Sequence, residues 1–288
     1  MFEGFAARRI DLPGGHVFAR IGGDGPPLLL LHGYPQTSAM WHRVAPALAK
    51  NHTVICADLR GYGASSKPVS APDHAPYSKR AMGADLFAAM DALGFDRFAI
   101  GAHDRGARVA HRMAADAPER LTRLAVLDIA PTREMYAETT DAFARAYWHW
   151  FWLIQPAPMP EDMIGADPER YWRLKCGRGS AGLGIFAEAA LAEYLAAFRD
   201  PACIHASCED YRAAASIDIA HDNAEAGKLP MPLLVNWGTD GVVGRVFDVL
   251  ALWRARAQDV QGGPIKGGHY LAEENPSEVL DAWTAFFA

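Results

Sequence analysis

The sequence predicts an α/β fold in which a mainly parallel sheet carries helices on both faces and an inserted helical cap. From residue 16 to about 130, short apolar runs rich in Val, Ile and Leu alternate with longer segments of helical period, which is typical of βα units that feed a parallel sheet. Between 132 and 229 this alternation is replaced by aromatic, proline-rich and helical sequence, and it returns afterwards. We therefore predict a core domain at 1–131 and 230–288 and a helical cap, or lid, at 132–229.

Each element follows from a local pattern. Buried apolar runs predict strands at 16–21, 27–31, 53–57, 98–102, 124–129 and 232–237. Segments of helical period predict helices at 38–50, 78–93 and 105–117, together with helical cap sequence around 186–198. The chain is expected to close with a helix at 276–288, because Asn275 can cap it, Pro276 fits its first position and Glu278 completes a capping box.

Composition and charge exclude several functional classes. With 50% hydrophobic and 22% charged residues, the 288-residue chain can enclose a large core. The net charge is -6 and no basic run is long enough to follow a phosphate backbone, so nucleic acid is not an expected partner. No apolar segment of signal-peptide type is present, and no stretch approaches the ~18 apolar residues that span a bilayer. We expect a cytoplasmic protein without membrane contact.

The cysteine pattern argues against a disulfide framework and against a metal site. Cys56, Cys176, Cys203 and Cys208 include no CxxC pair, and at this low density reduced thiols are expected. Cys203, His205 and Cys208 match no usual zinc spacing. No metal is expected.

The most specific motif is AIGAHDRGARVAHRMA at 99–114, in which an apolar strand turns sharply into an amphipathic helix. Small residues such as Gly106 and Ala107 permit the close turn of a nucleophile elbow, which lifts one side chain above the sheet. Here that residue is Asp104. The simpler interpretation is a helix-capping Asp, and the partners described next favour the nucleophile.

A base and an acid partner are expected near the same edge of the sheet. KGGHYLAEENP places His269 in a glycine-rich loop near the C-terminus, where folds with this elbow carry their catalytic histidine. Two acids at predicted strand ends, Asp128 and Asp240, can each orient the imidazole and stabilise its cation. The residues alone leave both candidates open.

The loop LLLLHGYPQT follows a buried strand and predicts half of an oxyanion hole. In folds of this kind such a loop supplies one backbone N–H, and the residue after the nucleophile supplies the other. The expected donors are Tyr34 and Arg105.

With Asp104 as nucleophile, the expected reaction passes through a covalent alkyl ester that water, deprotonated by His269, hydrolyses. Halide displacement and epoxide opening both fit this chemistry. Arg105 and Arg108 lie three residues apart on the elbow helix and can face one anionic substrate. Arginines beside a neutral halide or epoxide are costly unpaired charges, so a carboxylate-bearing substrate is favoured.

Donors for the leaving group are available in the predicted cap. His149 and Trp150 lie in AYWHWFWLIQP, and Tyr211 lies in CEDYRAAA. A halide ion is best bound by several converging N–H and O–H groups. By composition alone, this aromatic stretch is more typical of a packed cap interior than of a halide site.

The combination of motifs closely resembles the fluoroacetate dehalogenases, a haloacetate-processing branch of the α/β-hydrolase superfamily. The resemblance is carried by PPLLLLHGYPQT, CADLRGYGASSKP, GAHDRGARVAHRMA, VLDIAPT, YWHWFWLIQPAPMPE, CEDYRAAASIDIAHD and GGHYLAEENP. The stretches 177–185 and 239–262 show no pattern diagnostic of the family.

The resemblance implies a role for each matching residue. It implies Asp104 as nucleophile, His269 as base and Asp128, rather than Asp240, as acid partner. It further implies a carboxylate clamp of Arg105 and Arg108 and a halide site of His149, Trp150 and Tyr211. A cofactor-free enzyme, usually a homodimer, that converts haloacetate to glycolate and halide is the implied function.

Other functions remain as rivals. An epoxide hydrolase shares the Asp nucleophile and needs cap tyrosines but no paired arginines. A haloalkane dehalogenase is disfavoured because Arg105 stands where that relative places a halide-binding Trp, and a serine esterase is excluded by Asp104. A non-enzymatic binding protein that keeps the fold is disfavoured because the nucleophile, base, acid and arginines are all present.

Overall fold

The computed structural model describes residues 1–178, 181–225 and 227–288, and in these residues eight strands form one sheet. The strands are β1 (Phe5–Leu12), β2 (Gly15–Gly22), β3 (Pro27–Leu31), β4 (Thr53–Ala57), β5 (Phe98–His103), β6 (Leu121–Leu127), β7 (Leu233–Gly238) and β8 (Val260–Ile265). Their order across the sheet is β1-β2-β4-β3-β5-β6-β7-β8. The pairs β1–β2 and β2–β4 are antiparallel, and all other pairs are parallel. The predicted α/β class is confirmed.

Burial explains which strands the sequence pattern reveals. The runs of β3, β4 and β5 are almost entirely buried, as expected of central parallel strands covered on both faces, and their predicted positions are confirmed to within one residue. The strand predicted at 124–129 corresponds to β6, which begins three residues earlier and ends two residues earlier than predicted. The pattern missed β1 and β8, which lie at the sheet edges with mostly exposed or half-exposed residues.

Helices cover the sheet and fill the chain between β6 and β7. They are α1 (Ala45–Leu48), α2 (Lys79–Ala92), α3 (Asp104–Asp116), α4 (Thr132–Ala137), α5 (Asp141–Ala146), α6 (Trp148–Trp152), α7 (Met159–Ala166), α8 (Pro168–Arg178), α9 (Glu188–Phe198), α10 (Pro201–Ala214), α11 (Ile217–Asn223), α12 (Val243–Val246), α13 (Val249–Arg256), α14 (Leu271–Glu274) and α15 (Pro276–Phe287). The predicted helices at 78–93 and 105–117 are confirmed as α2 and α3, each within one residue.

The predicted helix at 38–50 is wrong as a single element. A 3-10 helix, Ser38–Arg43, is followed by the short α1, and the break precedes Pro46. Proline cannot donate the backbone bond that a continuous helix needs there, and its ring clashes with the preceding turn. The segment therefore forms two short helices instead of one continuous helix.

The predicted C-terminal helix is confirmed as α15, but its cap is only half as predicted. The Asn275 side chain accepts a hydrogen bond from the Glu278 N–H. The Glu278 carboxylate does not return to Asn275. It accepts the Lys266 N–H at 3.2 Å, while the Asn275 N–H donates to the Leu271 carbonyl. The capping box is thus wrong, because the preceding loop supplies a competing donor.

The helices α4 to α11 lie over the loops that follow the central strands. The Trp172 indole of α8 donates to the Pro35 carbonyl at 2.9 Å, and the Tyr211 ring of α10 lies 5.3 Å from the Tyr34 ring. The boundaries 132–229 of the cap stay a prediction. Residue 226 of this predicted cap lies outside the described residues, and so do residues 179–180 of the stretch 177–185. In the part of the chain that is described, no helix has the length and apolarity needed to cross a bilayer.

Candidate active site

The turn from β5 into α3 places Asp104 at the carboxyl end of the sheet. Asp104 adopts a φ of +42°, a left-handed conformation that a non-glycine residue rarely holds. The neighbouring backbone leaves no room for side chains. A Cβ on Gly106 would lie 2.4 Å from the His32 carbonyl oxygen, and one on Gly33 would lie 2.6 Å from the Asp104 Cβ. These contacts explain why the elbow needs glycine at both positions.

The Asp104 carboxylate is buried but held in its ionised form. Its Oδ2 accepts the Tyr34 N–H at 3.1 Å. Burial alone would raise the pKa of this carboxyl, yet its pKa lies far below the ordinary value because nearby charges outweigh burial. The groups responsible are His269, Arg108 and Arg105. Because Tyr34 binds Oδ2, Oδ1 is the oxygen available to a ligand.

His269 is oriented by Asp128, one of the two acids that the residues alone left open. The His269 Nδ1 lies 2.5 Å from the Asp128 Oδ2, and the Asp128 Oδ1 accepts the Gly238 N–H at 3.1 Å. An Nδ1–H that donates to this carboxylate leaves Nε2 as the free basic atom. Asp240 instead lies exposed on the wall of a cavity that His269 also lines, and no hydrogen bond joins the two among the described residues.

His103 is a further member of this site that the motif analysis did not single out. Its Nε2 lies 2.8 Å from the His269 carbonyl oxygen, and the two rings are 4.6 Å apart. Burial and the neighbouring His269 lower the pKa of His103 to about 3, so the ring is neutral and donates to that carbonyl. Its position before the predicted nucleophile was the available signal.

Arg105 is fully buried and bonded to Asp210 of α10. Its Nε donates to Asp210 Oδ2 at 3.0 Å, and its Nη2 donates to Oδ1 at 2.7 Å and to the Asp210 carbonyl at 2.9 Å. Its Cζ lies 4.1 Å from the centre of the Tyr211 ring. The remaining Nη1 has no hydrogen-bond partner in the described residues.

Arg108 has a different environment. Its Nη1 donates to the Ala130 carbonyl at 3.1 Å and to the Thr132 hydroxyl at 2.9 Å, and its Nη2 approaches the Met135 sulfur at 3.3 Å. All these partners are neutral. Burial lowers the pKa of Arg108, and its Nε has no partner in the described chain. The guanidinium is a buried cation suited to an incoming anion.

The cap residues predicted to bind halide lie around the same space. The Trp150 indole lies under the Arg108 guanidinium, 4.5 Å away, and the Tyr211 ring lies 5.8 Å from His149 and 6.4 Å from Trp150. Burial, followed by the Lys175 charge, lowers the pKa of His149 well below its ordinary value. His149 is therefore a neutral donor or acceptor.

Tyr136 of α4 joins this group and was missed from the sequence. Its ring lies 4.9 Å from the Trp150 ring, and burial raises the pKa of its hydroxyl to about 12. Burial also raises the pKa of Tyr211 well above its usual value, so both hydroxyls stay protonated. No motif marks Tyr136, because a lone aromatic residue in a helix usually packs in a core.

Several buried donors without partners therefore lie in one group of contacting side chains, which reaches Asp104 through Tyr34. Buried polar groups are normally hydrogen-bonded, and each unpaired donor costs about 1–3 kcal/mol. A small anion would satisfy them together. In the described residues the set comprises Arg105 Nη1, Arg108 Nε, Tyr136 OH, Trp150 Nε1 and Tyr211 OH.

Asp210, after His103 and Tyr136, is a third residue of this site that the sequence pattern did not reveal. Besides Arg105, it binds the Lys79 ammonium of α2 and accepts the Tyr62 hydroxyl at 2.6 Å. Burial opposes its ionisation, but Arg105 and Lys79 lower the pKa of Asp210 to about 2. One carboxylate of α10 thus receives three donors from the sheet side of the protein. Its position beside Tyr211 in CEDYRAAA was the signal available.

A cavity of about 450 Å³ leads from the surface to His269 and His149. Its wall carries more cations than acids, which favours anionic ligands. The charged residues that line it are Arg145, Lys175, Arg178 and Arg245, with Asp240 and Glu274 as the acids.

Comparison with known proteins agrees with this architecture. The model of the alpha/beta hydrolase fold family matches residues 26–276. The chain belongs to this family. This α/β hydrolase is 48% identical over 281 residues to a fluoroacetate dehalogenase from Burkholderia sp, an alignment that covers 97% of this chain and 92% of that protein. The family resemblance predicted from the motifs is confirmed, and the protein is a hydrolase.

Two further relatives span almost the whole α/β hydrolase. A soluble epoxide hydrolase from Corynebacterium sp. (strain C12) is 32% identical over 273 residues, which cover 92% of this chain and 91% of that protein. A solved structure from Nostoc sp PCC 7120, assigned to the alpha/beta hydrolases, is 51% identical with a TM-score of 0.99, covering 100% of this chain and 99% of that one.

Proposed function

We propose that this α/β hydrolase converts haloacetates to glycolate and halide through a covalent ester on Asp104. The observation that carries the proposal is the set of unpartnered donors in the group of contacting side chains that reaches the ionised Asp104 carboxylate. The arginine donors suit the substrate carboxylate, and the cap donors suit a departing halide. The similarity to a fluoroacetate dehalogenase over 97% of the chain supports the same substrate class.

In the first step, Asp104 Oδ1 attacks the carbon next to the substrate carboxylate and the carbon–halogen bond breaks. Two negative charges 4 Å apart repel by ~4 kcal/mol at an effective dielectric near 20. The free donors of Arg108 and Arg105 offset this repulsion and fix the carbon in line for attack. A haloacetate is small enough to use both sets of donors at once.

The departing halide is received by His149, Trp150 and Tyr211. Hydrogen bonds to a charged acceptor contribute ~1.5–3 kcal/mol each, so three supply roughly 5–9 kcal/mol toward expelling a poor leaving group. Among the described residues, the Tyr211 hydroxyl and the Trp150 indole N–H have no hydrogen-bond partner. They can therefore bind the ion without breaking an existing hydrogen bond.

In the second step, His269 Nε2 takes a proton from water, and the hydroxide attacks the carboxyl carbon of the Asp104 ester. Asp128 stabilises the resulting imidazolium. Negative charge develops on Oδ2, which already accepts the Tyr34 N–H, and the Arg105 N–H is the proposed second donor. Collapse of the intermediate releases glycolate and restores the Asp104 carboxylate.

Hydrolysis of neutral epoxides is the rival function, and the 32% identical epoxide hydrolase gives it weight. The partly unpaired Arg108 argues against it. Once Asp104 has become a neutral ester, a neutral substrate would leave this buried cation without the counter-charge that the Asp104 carboxylate supplies, which is costly. Rapid turnover of neutral epoxides that is indifferent to Arg108→Ala would favour the rival.

We further propose a cofactor-free homodimer that works in the cytoplasm, as the family resemblance and the sequence suggest. Light scattering during size-exclusion chromatography tests the assembly. A mass of twice the 31.3 kDa chain is expected, and a monomer at catalytic concentrations would contradict it.

Isotope transfer tests the proposed reaction. In a single turnover with excess enzyme in ¹⁸O-labelled water, the new oxygen of glycolate comes from Asp104 and stays unlabelled. Solvent label in that oxygen would exclude the ester. His269→Asn should accumulate the ester after release of one halide per site, seen as added mass on the Asp104 peptide, whereas unmodified peptide after halide release would contradict the role of Asp104.

A further inference from the structure

The same arrangement fits a second class of leaving group. In a haloacetate, the carbon next to the carboxylate bears the halogen. In a 2,3-epoxy carboxylate, the same carbon bears the epoxide oxygen, so the anchored carboxylate, the attacked carbon and the bond to be broken correspond. The epoxy acid also supplies an anionic hydrogen-bond partner, which Arg108 lacks among the described residues and which a neutral epoxide does not provide.

The two leaving groups differ in their need for a proton. A halide departs as a weak base and needs hydrogen bonds alone, but an epoxide oxygen departs as a strongly basic alkoxide and must be protonated. The Trp150 indole is a hydrogen-bond donor that does not release its proton at neutral pH. His149 is neutral because of its lowered pKa and is a poor acid. Among these donors, the tyrosine hydroxyls of the cap are the groups that can transfer a proton.

The two unpartnered tyrosines have different neighbours. The Tyr211 ring lies 5.3 Å from the ring of Tyr34, whose N–H binds Asp104. After burial, the Asp104 charge is the largest influence on the Tyr211 hydroxyl. After burial, the Tyr136 hydroxyl is influenced most by Arg105 and Arg108. Arg105 therefore influences both tyrosines, and Tyr211 is the one of the two that Asp104 also influences.

Arg105 can stabilise the anion that Tyr211 would form. Its Cζ lies 4.1 Å from the centre of the Tyr211 ring, and a cation at this position favours a phenolate over a phenol. Asp210 keeps the guanidinium there through three hydrogen bonds. The site thus holds a proton donor together with a fixed charge that offsets its ionisation.

We propose that the enzyme also hydrolyses small 2,3-epoxy carboxylates, with Tyr211 as the acid that protonates the epoxide oxygen. This inference rests on the proposed role of Asp104 as nucleophile. Asp104 Oδ1 forms a bond to the carbon next to the carboxylate, the carbon–oxygen bond of the epoxide breaks, and the alkoxide takes the Tyr211 proton. The products of this step are the Asp104 ester and a tyrosinate.

The second step returns the proton. His269 takes a proton from water, the hydroxide adds to the ester carbon, and the intermediate releases the dihydroxy acid and the Asp104 carboxylate. The imidazolium then passes its proton, through solvent, to the Tyr211 oxygen. No net acid is released, whereas hydrolysis of a haloacetate releases one proton per turnover. Acid release therefore distinguishes the two reactions.

The test uses the full chain with 2,3-epoxypropanoate and chloroacetate as probes. Wild-type enzyme should convert the epoxy acid to glycerate, followed by nuclear magnetic resonance, without net acid release in a pH-stat. Tyr211→Phe keeps the ring and should lower kcat on the epoxy acid by about 100-fold or more. On chloroacetate, the loss of one hydrogen bond to the halide should cost about tenfold.

Tyr136→Phe is the matched control, because it removes the other unpartnered cap hydroxyl. It should alter both substrates by a similar factor, mainly through KM. An enzyme that hydrolyses chloroacetate but leaves the epoxy acid intact would overturn the inference while the proposed function stands. Equal losses on both substrates in Tyr211→Phe would also overturn the role of Tyr211. An enzyme inactive on both probes would contradict the proposed function itself.

Discussion

Arg105 and Arg108 lie one turn apart on α3, but among the described residues Arg105 is bonded to a carboxylate and Arg108 to neutral groups. The charge of Arg105 is therefore largely compensated by Asp210, and this arginine offers the substrate one directed N–H. Arg108 offers a charge that the Asp104 carboxylate influences but that no carboxylate among the described residues binds by a hydrogen bond. The two arginines that the sequence presents as a symmetric clamp are expected to contribute unequally.

Substitution of each arginine by methionine, which keeps most of the side-chain volume, separates these contributions. Arg108→Met should raise KM for chloroacetate by about 100-fold, since a hydrogen-bonded charge pair contributes ~1.5–3 kcal/mol, and it should leave the melting temperature unchanged or higher. Arg105→Met removes one partner of a buried pair and should lower the unfolding free energy by ~3–5 kcal/mol. Kinetics and thermal unfolding check both. Equal destabilisation by the two variants would refute the asymmetry.

At the scale of elements, Asp210 ties α10 to two helices of the sheet domain. It binds Arg105 of α3 and Lys79 of α2, and Lys79 also lies 3.3 Å from Asp218 of α11. Positive and negative charges alternate along this buried row, so each ion has an opposite neighbour. This row of charges holds α10 and α11 against α2 and α3, and it fixes the orientation of the Arg105 guanidinium.

Asp210→Asn should weaken the attachment of α10 to α2 and α3 with almost no change in side-chain volume. Two buried cations lose their shared carboxylate, so we expect a loss of ~3–5 kcal/mol in unfolding free energy and a higher KM for chloroacetate. Urea unfolding and steady-state kinetics measure the two effects. Asp222→Asn is a suitable control at about pH 5, because burial raises the pKa of Asp222 to about 6 and little charge is then lost, whereas Asp210, with a pKa of about 2, stays ionised. A variant of Asp210 as stable as that control would contradict the proposed row.

The limits of sequence-based prediction follow from the range of the interactions. Central strands such as β3 and β4 are contiguous buried runs and could be located from the sequence to the residue, as could the elbow that starts α3. Edge strands β1 and β8 have no such run. The Arg105–Asp210 contact joins residues 105 positions apart, and no local pattern encodes it. The candidate site was thus predictable where motifs carry it, at Asp104 and His269.

At the scale of the whole molecule, one buried acid links α14, which follows His269, to α9 and to the loop after β3. Glu273 of α14 accepts the Gln36 side-chain N–H and the Tyr194 hydroxyl, both at 2.9 Å. Burial raises the pKa of Glu273 to about 8. A carboxyl whose folded pKa is raised favours the fold while it is protonated and loses that contribution as pH rises. Global stability should therefore depend on this side chain.

Glu273→Gln isolates that dependence. The wild type should lose stability relative to the variant as pH rises from about 4.5, the ordinary pKa of a Glu, to about 8, and the difference should level off above. Below that window the two proteins should differ little. Thermal unfolding at a series of pH values measures the difference. A difference in melting temperature that stays constant from pH 5 to 9 would show that Glu273 does not titrate in this window.

The whole molecule carries a net charge of -6, but the wall of the cavity leading to His269 is rich in cations such as Lys175 and Arg245. Local charges control the approach of a small ion, because distant exposed charges are screened beyond ~8 Å at physiological ionic strength. The cavity should therefore concentrate haloacetate despite the overall charge, and this effect should disappear in high salt.

Arg245→Glu tests this expectation against Arg97→Glu, which makes the same change in net charge. Arg97 is exposed and directly precedes β5, so it lies at the opposite end of the sheet from Asp104. At low ionic strength Arg245→Glu should raise KM for chloroacetate several-fold, and Arg97→Glu should not. The difference should vanish in ~1 M salt, where the screening length is ~3 Å. A salt-independent loss in Arg245→Glu would indicate direct contact with the substrate, and equal effects of both variants would indicate that net charge alone governs binding.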